Sequence, residues 1–361
     1  MTRPTITPEI TLLTLPVPDG PHALQQRLWL TGRRLNYWRK GQRPPRYSGH
    51  YAVTRSLVEG MVKAALPVNH NPQQMTSVAE RVHVPGGVHA LRQAILMKQR
   101  GDIKQLTCGP NIAVLASEHD SILQSPEIDA VVNHTEDDMA FWRADAPELR
   151  HLLWAAGVDP EFWRPGHSGQ RDRILIFDKH ADPRTDPARI LPYVAYLESL
   201  GYGVDILRRN DSEGEGYTAQ TFLSLLQSAA LMVGFTMYHG ESQGIAWAEA
   251  WSTDVPTLIL SKEGTIYEGR PLFLKSAPFL TPSTGALFDN FGDFQHQFAL
   301  WRQGQHAFRP RQWVLEHMSD EVCARNLYNK LMNLPQHLVC KPAMEGGAYG
   351  SKFKLRLPPL A

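Results

Sequence analysis

The stretch Glu241-Ser242-Gln243-Gly244-Ile245-Ala246-Trp247-Ala248-Glu249-Ala250 places two carboxylates at either end of a polar, glycine-bearing turn. It lies between an apolar run that ends at Phe235 and a second run from Val255 to Leu260. That pattern predicts a strand, a turn, a short helix beginning near Ser242, and a strand entered through Val255-Pro256. The free N–H groups and positive dipole end of such a helix favour an anion such as a phosphate, and Gly244 lets a ligand approach the backbone closely. A second cluster, Asp178-Lys179-His180-Ala181-Asp182-Pro183-Arg184, follows the strand-like run Arg173 to Phe177. Two cations just past a strand's carboxyl end suit a diphosphate, with Lys179 as a point charge and Arg184 as a bidentate fork. The plainer reading is a polar loop with chance charges. Asp178, His180 and Asp182 also alternate as metal ligands do, but no fourth ligand is near, and no metal is expected. The two glutamates have a plain reading as well, one satisfying a helix start and the other solvated.

The elements that must carry these groups are those of an α/β protein. With 361 residues the chain exceeds the size at which one core keeps growing, and two domains are expected. Strand-like runs at Ile10 to Leu15, Arg81 to Pro85, Ile103 to Cys108, Ile112 to Ala116 and Ile128 to Asn133 alternate with helical patterns at Tyr51 to Leu66, Val88 to Lys98 and Glu136 to Trp142. A second series has strands at Arg173 to Phe177, Gly203 to Leu207, Ala230 to Phe235 and Pro256 to Leu260. Its helices are Pro187 to Leu200, with Ile190, Leu191, Val194 and Leu197 on one face, and Thr218 to Ala229. Phe288 to Trp301 and Asp320 to Met332 read as closing helices. Such alternation predicts parallel sheets whose ligands bind beyond the strands' carboxyl ends, where His119 and His134 fall, either touching a substrate or lying on the surface. The small, polar residues 166–172 read as a linker between a domain of residues 1–165 and one of 173–334, and the tail 335–361 reads as extended, with Lys352 to Leu357 as an edge strand. Two such halves suggest a cleft between them.

Composition narrows the class. Net charge is +1, which excludes a global field for nucleic acid or an anionic membrane. Locally, Arg33, Arg34, Arg39, Lys40, Arg43 and Arg46 cluster without acidic neighbours, as a solvated face or as a surface for phosphate or membrane. Cys108, Cys323 and Cys340 are too scattered for a disulfide framework or thiolate metal site, and a reducing compartment is the simpler expectation. With no long apolar stretch and no leader-like N-terminus, a cytoplasmic protein is expected.

The motif at Glu241, with Gly244, Glu249-Ala250 and Val255-Pro256, resembles the E-x7-E signature of retaining, nucleotide-sugar-dependent glycosyltransferases of the GT-B fold, the family 4 type. Gly157-Val158-Asp159 with Phe162 and Pro165 is similar to the stretch that precedes that family's second domain, and Ser48-Gly49-His50 resembles its first glycine loop. The family usually carries Arg and then Lys five positions on, whereas here Lys179 precedes Arg184, and it tends to have an aromatic residue where this chain has Gln243. The resemblance implies two Rossmann-like domains facing a central cleft. It implies that Glu241 holds hydroxyls of the donor sugar, Glu249 the ribose, backbone N–H groups near Ser242, Gln243 and Gly244 the diphosphate, and that Lys179 and Arg184 neutralise it. Gly49 would approach the donor from the first domain. The acceptor, a carbohydrate, lipid or other hydroxyl compound, would sit on the first domain, with no cofactor and no metal. An epimerase or hydrolase of the same nucleotide sugars, or a non-catalytic binding module, is the alternative.

Overall fold

Runs of continuous apolar residues become strands buried on both faces, and the amphipathic segments between them become the covering helices. In the computed structural model these form two parallel sheets. The structure describes residues 7–43, 50–166, 171–179, 187–208, 218–236, 240–261, 265–267 and 269–335. Ser48, Gly49, Arg184, His180, Asp182 and the strand proposed at Lys352 to Leu357 lie outside them.

The first half runs β1 (Ile10–Leu12), α1 (Ala23–Arg39), α2 (Tyr51–Lys63), β2 (Val68–His70), β3 (Arg81–Gly86), α3 (Val88–Gln99), β4 (Gln105–Asn111), the single turn α4 (Glu118–Ser121), β5 (Ala130–Asn133), α5 (Glu136–Asp145) and β6 (His151–Leu153). Its six strands lie in the order β2-β1-β3-β4-β5-β6, all parallel. The second half runs β7 (Arg173–Asp178), α6 (Leu191–Ser199), β8 (Gly203–Arg208), α7 (Ala219–Ser228), β9 (Ala229–Phe235), α8 (Ile245–Ser252), β10 (Thr257–Leu260), the hairpin β11 (Thr265–Tyr267) with β12 (Arg270–Leu272), β13 (Gly285–Phe288), α9 (Phe291–Arg302), α10 (Pro310–His317) and α11 (Asp320–Met332). Its sheet has the order β13-β10-β9-β7-β8, again all parallel. The winding reverses between β7 and β9, so a crevice opens at their carboxyl ends, where Lys179 and the Glu241 motif emerge.

Four differences from the sequence reading have identifiable causes. The central helix starts at Ile245 rather than near Ser242, because the N–H of Glu241 is drawn to the Lys275 carbonyl (3.0 Å) and Gly244 turns left-handed at φ 62°. A side chain there would also strike the Trp247 ring at 2.6 Å. Ile112 to Ala116 is not a strand: pairing of β4 ends at Asn111, and the Val114 carbonyl accepts from the Trp142 indole at 2.9 Å. Phe288 ends β13 and does not begin a helix, since Asn290 caps α9 by accepting from the N–H of Asp293 at 3.0 Å. On α6 the inward face is Ile190, Tyr193 and Leu197, while Leu191 is exposed.

The last helix does not stay with the second sheet. Ala324, Leu327 and Leu331 of α11 pack with Ile10, Leu12, Val53 and Leu57 in a core of the first half. Gly60 of α2 permits that crossing, because a side chain there would meet the Asp320 carbonyl at 2.3 Å. Lys63 then bridges Asp159 and Asp320, each at 2.7 Å. Residues 173–334, grouped together by sequence, therefore end on the first sheet.

Candidate functional site

Helix α8 is almost wholly sealed: Ala246, Trp247, Ala248, Ala250, Trp251 and Ser252 are buried. Ile245 and Glu249, one turn apart, form its partly open face. Ile245 touches the cores of both halves, so Glu249 faces the first domain across the cleft. Its carboxyl feels Lys179 and Arg55, the latter on α2, yet burial outweighs both cations and raises its pKa from 4.5 to about 8. The Glu249 carboxyl is therefore protonated at neutral pH, able to donate as well as accept a hydrogen bond.

Lys179 leaves the end of β7 with its backbone N–H on the Phe235 carbonyl at 2.9 Å. Its Nζ lies 2.6 Å from Glu241 Oε1 and 5.3 Å from the centre of the Trp247 ring. Both partners of this ion pair are largely shielded, with side-chain exposures of 12% for Lys179 and 9% for Glu241. Apart from this ion pair, Glu241 Oε1 has no hydrogen-bond partner among the described residues. Thr236 Oγ1 at the end of β9 and Ser276 Oγ are likewise buried without hydrogen-bond partners among the described residues. Buried polar atoms without hydrogen-bond partners are uncommon, and a polar ligand is one way of satisfying them. The N–H groups of Ser242, Gln243 and Gly244 take no backbone partner among the described residues, and they stand at the amino end of α8.

The structure thus brings together Lys179, Glu241, Gly244 and Glu249, with Ser242 exposed at the turn. The expectation for Gln243 concerns its backbone N–H, and its side chain has a separate use. Its side chain is buried, accepts from the N–H of Ala156 (3.0 Å) and donates to the Ala156 carbonyl (2.9 Å). It is a strut between the motif and the segment that ends the first domain, and so its side chain is not available to a donor. Asp178 pairs with Arg189 at 2.5 Å and Arg208 at 3.7 Å, and the described residues, which do not include His180 and Asp182, hold no group of three or more His, Cys, Asp or Glu arranged for a metal.

On the facing side, His119 is exposed, but His134 is 5% exposed at the end of β5. Its Nδ1 lies 3.1 Å from the Trp154 carbonyl and its Nε2 has no hydrogen-bond partner among the described residues. Burial, with nearby His50 adding repulsion, lowers its pKa to about 4, so the ring is neutral. Beside it a cavity of ≈ 360 Å³ opens between the halves, lined by His134, Asp137, Trp154, Lys275, Phe279 and Lys330 among others. Asp138 behind it is pushed up to about 6 by burial. Arg55 was not legible as a site residue, because within the α2 sequence it is one polar residue on an amphipathic helix. Only the packing of α8 against the first domain gives it a role.

No protein-family model matches this chain, and no curated protein does. Among solved structures, HepE of Anabaena, determined in complex with UDP-glucose, is 11% identical with a TM-score of 0.50 over 90% of this chain and 99% of its own. TarM of S. aureus is 15% identical at a TM-score of 0.49, over 70% of this chain and 55% of its own, so the likeness spans about half of that protein. The UDP-GlcNAc 2-epimerase of Methanocaldococcus jannaschii is 12% identical at a TM-score of 0.45, over 90% of this chain and 98% of its own. The likeness to HepE covers nearly the whole of both chains, and the two facing parallel sheets have the GT-B fold.

Proposed function

We propose that this protein is a glycosyltransferase that moves a sugar from a nucleoside diphosphate to a hydroxyl acceptor, with retention of configuration and without metal or cofactor. The observation that carries the reading is the convergence, at the β7/β9 crevice, of Lys179, Glu241 and the amino end of α8, whose N–H groups take no backbone partner among the described residues. Breaking the bond between sugar C1 and a diphosphate oxygen builds negative charge on the leaving group and positive charge on the sugar. A fixed cation and helix N–H groups, positioned beforehand, stabilise that charge without reorganising. Lys179 meets the diphosphate, aimed by Glu241 and the Trp247 ring. Arg184, by its place in sequence, adds the second cation, and Gly49 belongs to the loop that comes from the first domain. The Glu241 carboxylate takes donor-sugar hydroxyls, and protonated Glu249 exchanges hydrogen bonds with the ribose. The likeness to a protein determined with UDP-glucose supports a nucleotide-sugar ligand at this end of the sheet.

In the reaction the C1–oxygen bond to the diphosphate breaks and a bond from C1 to the acceptor oxygen forms on the same face. The acceptor's proton passes to the departing phosphate oxygen. The acceptor, a carbohydrate or other hydroxyl compound, lies on the first domain beside neutral His134 and the cavity next to it. The test is to incubate the protein with UDP-, GDP-, ADP- and dTDP-sugars, and to assay free nucleotide with and without candidate acceptors. Release that requires an acceptor supports transfer. Release without any acceptor supports hydrolysis, conversion of the nucleotide sugar without release supports epimerisation, binding with neither supports a binding module, and a product of inverted anomeric configuration refutes retention.

A further inference from the structure

Helix α1 turns a stripe of apolar residues away from the protein. None of its residues is buried, and Leu24 (75%), Leu28 (65%), Leu35 (54%) and Trp38 (75%) are exposed. With exposed Thr31 between them, these residues recur at spacings of four and three, which places them within an arc of about 80° on the helix surface. Arg27 and Arg34 flank that stripe on one side and Arg39 on the other. The opposite face is the one that meets the protein: the Trp29 ring lies 4.5 Å from that of His89, and Trp29, Leu30, Arg33 and Tyr37 are partly buried. An ordinary surface helix has the reverse arrangement, apolar inward and charged outward.

Charge is segregated around the same helix. From Gly20 to Val58 the sequence has eight Arg and Lys residues and no Asp or Glu, leaving 29 basic against 36 acidic residues in the rest of the chain. His89 stands in the first turn of α3, directly after the end of β3, so α1 lies at the end of the first domain that opens on the cleft.

We propose that the outward face of α1 docks on an anionic lipid bilayer, with Leu24, Leu28, Leu35 and Trp38 entering the headgroup boundary and Arg27, Arg34 and Arg39 meeting lipid phosphates. An outward apolar stripe rimmed by arginine matches an interfacial helix, in which apolar burial and attraction to anionic lipid add. A second copy of the chain fits less well, because two such faces would bring their arginine rims together. A nucleic acid would use the arginines but leave the leucines in water.

The experiment is co-sedimentation of the full chain with vesicles of phosphatidylcholine alone and of phosphatidylcholine mixed with phosphatidylglycerol. Binding is expected to be at least tenfold tighter to the anionic vesicles and to weaken as salt is raised. The variant Leu24→Gln/Leu28→Gln/Leu35→Gln/Trp38→Gln, which keeps every charge, is expected to bind at least tenfold more weakly, as is Arg27→Gln/Arg34→Gln/Arg39→Gln. These side chains are exposed, so neither variant removes core packing, and unchanged thermal unfolding checks this. The proposal is overturned if the wild-type chain fails to bind anionic vesicles, if it binds neutral vesicles equally, or if the apolar variant binds as the wild type does. It is also overturned if the wild-type chain is a dimer that the apolar variant converts to a monomer. No donor or acceptor enters this assay, so its failure leaves the proposed transfer reaction untouched.

Discussion

Replacing Gln243 with leucine tests whether the two domains are joined by the strut described above. In the wild-type chain one amide side chain satisfies both the N–H and the carbonyl of Ala156, at 3.0 and 2.9 Å, where Ala156 itself is fully buried. Leucine fills similar volume but leaves both backbone groups unmet. Each such group costs about 1–3 kcal/mol, and with partial compensation from the added apolar contact a net loss of about 2–4 kcal/mol follows. Unfolding of a two-domain chain is seldom two-state, so a global value is a poor readout. Hydrogen exchange at the Ala156 amide is local: the loss corresponds to a fall in protection of about 30- to 1,000-fold. Gln243→Glu discriminates further. Once ionised, its carboxylate accepts from the Ala156 N–H but opposes the Ala156 carbonyl, so protection should fall as pH rises through that carboxyl's titration. If Gln243→Leu leaves Ala156 protection within threefold of the wild type, the strut contributes little and the reasoning is refuted.

The remaining expectations concern the site. The Glu249 carboxyl has a folded pKa of about 8, above its unfolded value of 4.5, so the stability it contributes is full below pH 4.5 and is lost as pH rises through about 8. Glu249→Gln should therefore gain on the wild type by up to about 4 kcal/mol between pH 5 and pH 8.5, measured by thermal unfolding, and a constant difference across that range would refute it. Lys179→Met should weaken nucleoside diphosphate binding by calorimetry by about tenfold or more, with a smaller effect on a nucleoside that lacks phosphate; equal losses for both ligands would refute its role as a diphosphate cation. Gly244→Ala must hold a left-handed φ of 62° and place a methyl 2.6 Å from the Trp247 ring. It should destabilise the chain by about 1–3 kcal/mol, read by chemical denaturation, whereas Ser242→Ala at the exposed turn should change stability by less than about 0.5 kcal/mol.

The sequence by itself determined the α/β class, the alternation of strands and helices, and the turn that carries Glu241 to Glu249. Those features rest on local periodicity and on residues such as Gly244 whose backbone conformation few others adopt. The sequence also placed Lys179 at a strand end, since the continuous apolar run Arg173 to Phe177 admits little else. Local pattern was silent where long-range contact decides. Asn290 and its cap, rather than apolar content, separate β13 from α9, and Ile112 to Ala116 lost its strand because no neighbouring strand reached it. The same holds for the site. Nothing local names a partner for the Gln243 side chain, but Ala156, 87 positions away in sequence, engages both of its polar atoms. Arg55 and Glu249, on different domains, become electrostatic neighbours only when α8 turns its open face to the first sheet. Likewise α1 is an unremarkable mixture of leucine and arginine until packing shows which side faces outward. A residue's neighbours four positions away are set by the chain, but those across a cleft are set by how two cores close against each other.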